Sequence, residues 1–354
     1  VACTVRTKLN YVQFVGASLR SAKRGRPRCF STWGIVVMQL HKPYRTIDEQ
    51  IQLLTSRGMS VGPEAKHALQ REGYYAIVNG YKDQFLDRRA SQRVGDDRYI
   101  EGTRFDDLYA LFRFDRELRS LLFQGITPAE ATLKAICSHE FTKAYPSESN
   151  PYLNPHNYDS QSYSSACKLI DKVFRRILES NRTEHNGRHA GKAYIRHCLN
   201  DHNGQVPLWV LANDLSLGQI AWFFQISAPQ VRLAVAESFT DLYADTHDTP
   251  RKITIKRLNT IYGRLVFFRN LCAHDERCYC AHANERLNES VFQLVNDLSY
   301  LLDQESYIVF RHQFYELLQR MAIALPDQYC QMFKAIGVTD QSAIDDIVSR
   351  LPMQ

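Results

Sequence analysis

Long apolar runs are missing from this 354-residue chain. A membrane-crossing helix needs roughly 18 such residues. The longest candidate, around "LVFF" (265–268), stops far short, which argues against a helical membrane span. Regular cysteine spacing is missing too. The nine cysteines sit mostly in apolar contexts such as "AIC" (135–137), so reduced thiols in a cytoplasmic protein are expected rather than a disulfide framework. "VACTVRTK" is followed by no apolar core with a cleavage site and does not read as a signal peptide. Neither an internal repeat nor a series of alternating strands stands out.

Acidic residues are absent from 1–37, which carry seven basic ones (Arg6, Lys8, Arg20, Lys23, Arg24, Arg26 and Arg28). The overall charge of +6 therefore rests on this segment; the other 317 residues hold 37 basic against 38 acidic side chains. The segment has no helical or strand period, and the first Met is Met38. It is read as a basic extension, disordered or translated from upstream, with an RNA-binding arm as the functional alternative. A local excess survives at 251–286, where eight basic residues face Asp275, Glu276 and Glu285. Such a patch attracts phosphate, although a solvated helix face has the same composition.

From Thr46 the pattern is helical. "TIDEQIQLLTSRG" (46–58) has Thr46 as N-cap, Glu49 as its capping-box partner and Gly58 as a stop. "GPEAKHALQREG" (62–73) starts at Pro63 and ends at Gly73. Gly80 is expected to interrupt "YYAIVNGYKDQFL" (74–86) as a corner. A long helix over 105–126 is expected to stop before Pro128, which starts another over 128–145. A turn-rich loop (146–165) precedes helices at 166–180, 188–200, 228–244, 251–275, 288–303 and 306–322, with a short terminal piece. The fold class is all-α.

The chemistry concentrates in "FRNLCAHDER" (268–277). Arg269 offers a fixed fork of donors suited to phosphate, and His274 accepts and returns a proton near neutral pH. Asn270 lies one helical turn before His274, so those two side chains are neighbours. Arg269 and His274 are about 140° apart around a straight helix; they can flank a groove or meet across a symmetry axis. RNA carries its own nucleophile in the 2′-OH, so a proton-transfer group and a cation suffice for cleavage and no metal or cofactor is required. The bland alternative is an Arg and a His capping a helix end. A third reading takes Cys272, His274, Cys278, Cys280 and His282 as zinc ligands, but their spacing lacks the usual C-x2-C knuckle.

Five ordered stretches carry a resemblance: "HKPYRTIDEQIQLLTSRGM" (41–59), "GYYAIVNGYKDQFL" (73–86), "FDDLYALFRFDRELRSLL" (105–122), "VPLWVLANDLSLGQIAWFF" (206–224) and "FFRNLCAHDER" (267–277). Together they resemble the bacterial abortive-infection proteins of the AbiD/AbiF group, in the HEPN superfamily. The resemblance implies a helical HEPN bundle over 38–287, with 288–354 as a C-terminal helical extension packing on it. It implies metal-free RNA cleavage by an Arg-x4-His motif, here Arg269, Asn270 and His274, at a site formed by two such units. A homodimer acting on RNA, not DNA, in phage defence is expected, held off in trans by a protein antitoxin or, in the favoured reading, a structured RNA. A non-catalytic RNA-binding module is the alternative.

The resemblance also places Glu130 and Lys134 on a helix facing the motif; an exposed ion pair explains them equally well. Arg264, Arg277 and Asp275 are expected to support the motif or bind RNA. Asp115, Arg116 and Arg119 either orient it or form a solvated face. Tyr74, Tyr75 and Tyr81 offer rings for base stacking or for the core. After the motif, "CYCAHANER" departs from the family pattern.

Overall fold

The computed structural model describes residues 44–182, 184–185, 188–189, 191–283, 289–339, 344 and 347. The basic extension over 1–37, with Glu285 and Arg286, lies outside the described residues.

The chain is all-α. Helix α1 (Ile47–Ser56) opens on the expected capping box: the Glu49 N–H donates to the Thr46 hydroxyl, and the Thr46 N–H donates to the Glu49 carboxylate at 2.7 Å. Helix α2 (Glu64–Glu72) ends at Gly73, whose φ of 83° is open to glycine. The expected corner at Gly80 does not form. Instead a π-turn (Tyr75–Asn79) runs into Gly80 in ordinary right-handed helical geometry, and its carbonyl accepts from Arg277 at 2.6 Å. Helix α3 (Arg88–Val94) follows.

Helix α4 (Phe105–Ala144) is a single rod of 40 residues, roughly 60 Å long. The expected break at Pro128 is therefore corrected. The backbone bond that proline removes would end on the carbonyl of Gln124. Gln124 and Pro128 both lie on the exposed side, where water satisfies that carbonyl, while Gly125, Ile126, Ala129 and Leu133 are buried on the other. Packing on the inner face carries the helix through.

Beyond α4 come three short 3-10 turns within 151–162, then α5 (Tyr163–Leu169), a π-turn (Ile170–Phe174) and α6 (Arg175–Arg182). A two-residue antiparallel pair, β1 (Glu184–His185) with β2 (Arg188–His189), stands where no strand is expected and leaves the fold class unchanged. The rest is helical: α7 (Ala193–Asp201), α8 (Leu208–Leu211), α9 (Leu217–Ile226), α10 (Pro229–Thr246), α11 (Ile255–Ala273), α12 (Val291–Leu298), α13 (Gln304–Ala324) and α14 (Tyr329–Ile336).

Helix α4 is the axis against which α10, α11 and α13 pack, and α9 lies against α11. Two contacts fix α4 and α11 as antiparallel: the Tyr262 hydroxyl donates to the Ala129 carbonyl at 3.0 Å, and Arg119 donates to the Glu276 carbonyl at 3.2 Å. Gly125 is needed for the approach of the C-terminal helices, because a Cβ there would stand 2.7 Å from Leu298 and 2.9 Å from Phe310. Among the described residues no helix is long and apolar enough to cross a membrane.

Candidate functional site at the end of helix α11

Helix α11 delivers the motif at its last turn. Leu258, Ile261, Tyr262, Leu265 and Phe268 form its buried stripe, so Asn270 and His274 fall on the exposed side. His274 is the C-cap, its N–H donating to the Asn270 carbonyl at 3.0 Å. Asp275 then takes a left-handed φ of 54°, and the Glu276 N–H returns to the Leu271 carbonyl at 3.1 Å. This is a Schellman ending with Asp in the position glycine usually holds.

Arg269 is half-buried. One terminal nitrogen donates to the Asn270 side-chain oxygen at 3.4 Å, whereas its buried Nε has no partner. The Asn270 side chain thus contacts Arg269, while its backbone carbonyl accepts the His274 N–H. Among the described residues Arg269 has no carboxylate partner, so its guanidinium keeps its charge for another anion.

A buried network fixes the segment that follows. Asp115, wholly inaccessible on α4, accepts the Cys278 N–H at 3.0 Å, the Tyr279 N–H at 2.7 Å, the Tyr81 hydroxyl at 2.6 Å and Arg119 at 2.7 Å. Arg119 in turn donates to the Glu276 carbonyl and to the Asp275 carboxylate. Burial pushes the Asp115 carboxyl up, and Arg119, Tyr81 and the two backbone donors oppose that rise. The same burial with Asp115 alongside pushes the Tyr81 hydroxyl up, so it stays a neutral donor. The result is a rigid tie from the first half of α4 to residues 275–279, directly beyond His274.

Asp115 and Arg119 thus orient the motif's helix end, while Arg116 between them does something else. Its guanidinium is held by both Glu72 oxygens, at 3.0 and 2.6 Å, and lies over the Phe112 ring. Signal for this was present: Asp115 falls in phase with Leu108, Leu111, Leu118 and Leu122 on the apolar stripe, where a charge is unexpected unless partnered.

Other expected positions move. Arg264 is a correction: it is 4% exposed and paired with Glu289 at 3.1 Å and with Asp297, so it braces α11 against α12 and is closed to RNA. Arg277 donates to the Gly80 carbonyl and lies 3.6 Å from Asp83, a strut more than an open cation. Tyr81 is core and Tyr75 exposed. Glu130 and Lys134 pair at 2.8 Å in a groove lined by Thr127, Trp209 and Asn213. Because Ala129 lies opposite Tyr262, that pair is about 20–25 Å along the helix axis from His274; within one chain it does not face the motif.

The zinc reading finds no geometry. Cys272 turns inward, where the buried Cys278 thiol bonds to it and is pushed up by that contact and by burial, while His274 is exposed. Among the described residues no three His, Cys, Asp or Glu side chains come together as a metal site.

The architecture is that of an all-α protein presenting an Arg, an Asn and a His on a braced helix end. Over residues 67–280 the chain matches the Abi-like protein family, and it belongs to that family. Membership supports a role in abortive infection. No curated protein and no solved structure gives a match.

Proposed function

We propose that the chain is a metal-independent endoribonuclease of the HEPN type, acting as an abortive-infection toxin in phage defence. The observation that carries this reading is the Arg269–Asn270 link beside an exposed His274, on a helix end that Asp115 and Arg119 brace. His274 takes the proton of the substrate 2′-OH; the freed oxygen attacks the adjacent phosphorus, the P–O5′ bond breaks, and the protonated His274 returns the proton to the leaving 5′ oxygen. Arg269 carries the negative charge that builds on the phosphorane oxygens. Asn270, one helical turn before His274, positions it and contacts Arg269. The products are a 2′,3′-cyclic phosphate and a 5′-OH. Sequencing RNA ends from bacteria expressing the wild type or His274→Ala tests this; new cyclic-phosphate ends should appear with the wild type alone. Identical ends with equal toxicity would leave a non-catalytic RNA-binding module.

The Arg-Asn-x3-His form of the motif stands once in each chain, at 269–274, since Arg277 and His282 repeat the spacing without the Asn, so a twofold homodimer that sets two such motifs across one groove is the arrangement we favour. A structured RNA that occupies the groove uncut is the proposed restraint. Light scattering on His274→Ala protein from its native host, followed by sequencing of the RNA it carries, checks both. A dimer with one abundant RNA is expected; a monomer, or a stoichiometric second protein with heterogeneous RNA, refutes the corresponding half.

A further inference from the structure

At the opposite end of α11 from His274, two arginines share one aromatic ring. The guanidinium carbons of Arg251 and Arg257 stand 5.6 and 5.0 Å from the Tyr300 ring centroid. Both arginines are exposed, as are Lys252 and Lys256 beside them. Among the described residues none of these four cations has a carboxylate partner. The carboxylates nearby are otherwise engaged: Asp248 accepts from Gln304 at 2.7 Å, and Asp303 caps α13 by accepting the Ser306 N–H at 2.8 Å.

Two features of α11 run against helix stability. Its first turn contains Lys256 and Arg257 and no acidic residue, although the positive end of a helix favours acids and disfavours cations. In its interior stands Gly263, exposed, where an added Cβ would meet nothing within 4 Å. No packing demand explains a glycine there, and glycine weakens a helix relative to alanine. What it permits is close approach of another chain to the helix backbone.

Lys256, Thr260, Gly263, Phe267, Asn270 and His274 lie within about 40° of one line down the helix, at about 100° per residue. All are exposed except the half-buried Phe267. This stripe runs from Lys256 to the candidate site about 27 Å away, with the arginine pair flanking its start, Arg257 about 100° around the helix.

We propose that the stripe is a track for a single RNA strand, with the Arg251–Arg257–Tyr300 cluster as a remote phosphate anchor. It rests on RNA being the polymer handled at Arg269 and His274. The guanidiniums are set in place by the ring and receive phosphate oxygens; Gly263 lets the strand lie against the helix; His274 meets it at the far end. A stacked strand at about 3.4 Å per nucleotide spans the distance with about eight nucleotides. The enzyme therefore selects RNA by length as well as by its 2′-OH.

The test is RNA binding by His274→Ala protein, in which the strand stays intact, using oligonucleotides of about four and about twelve nucleotides over a salt series. The unmodified surface should bind the longer strand more tightly. Arg251→Ala with Arg257→Ala should abolish that length advantage and make the salt slope shallower by about 1.4, two contacts at about 0.7 each. Gly263→Glu, which improves helix propensity, should weaken the longer strand on the order of tenfold by placing a carboxylate in the track, with no fall in melting temperature. Unchanged affinity and slope in both variants would overturn the track, whether or not RNA is cut. Loss of an acidic protein partner by the double variant, with RNA binding intact, would overturn it too. A full length dependence without cleavage by the wild type would uphold the track and refute the nuclease.

Discussion

His274→Ala is expected to lower single-turnover RNA cleavage by about 10²–10⁴-fold, the range for a general acid–base group, with RNA affinity nearly unchanged. His274 is exposed at the helix end, so its removal disturbs no packing. Arg269→Ala should cost about 10²–10³-fold, as loss of a charge-stabilising donor does. Arg269→Lys should restore little of it, because an ammonium lacks the planar fork and the reach to Asn270 seen here at 3.4 Å. The double variant should be scarcely worse than His274→Ala alone, since groups acting in one step are not additive. Rates for His274→Ala within a few-fold of wild type would remove the residue from the chemistry.

Asp115→Ala should have the largest effect on stability, about 3–5 kcal/mol in urea unfolding. The substitution strands the Arg119 guanidinium in the core and leaves the Cys278 and Tyr279 N–H groups without acceptors. Arg116→Ala, one residue along, breaks an ion pair whose arginine is 43% exposed and should cost about 0–1 kcal/mol. Similar losses for the two would show that the tie contributes no more than a surface pair. At partial denaturation, amide exchange at residues 275–279 should rise before exchange within α11 in the Asp115 variant.

Much of the fold was legible because local chemistry and packing agree in it. The Thr46–Glu49 box, the glycine stop after α2 and the apolar stripes of α10 and α13 all follow from spacing. Legibility failed where tertiary contacts outweighed a local rule. Pro128 reads as a break, but the lost bond points to water while the opposite face stays packed. Gly80 reads as a corner, but Arg277 from the far end of the chain holds its carbonyl. At the site, Arg269, Asn270 and His274 were visible from residue type and spacing. The brace was half visible: Asp115 and Arg119 sit on an apolar stripe, and such charges carry meaning only once a partner is known. Arg264 shows the same point in reverse. It reads as one of the eight cations of 251–286, although it lies three residues from Ile261 and four from Phe268 on the buried stripe.

The pairing of Arg264 with Asp297 and Glu289 has a bearing on how the chain can be cut. The family match ends at residue 280, yet both carboxylates that neutralise this buried guanidinium lie beyond it. So do Leu298 and Phe310, which close over Gly125. The matched segment alone thus lacks contacts that the described fold uses. A fragment ending at the match boundary would leave Arg264 without its carboxylates and bare the apolar seam along α4 at Gly125, and would be expected to aggregate.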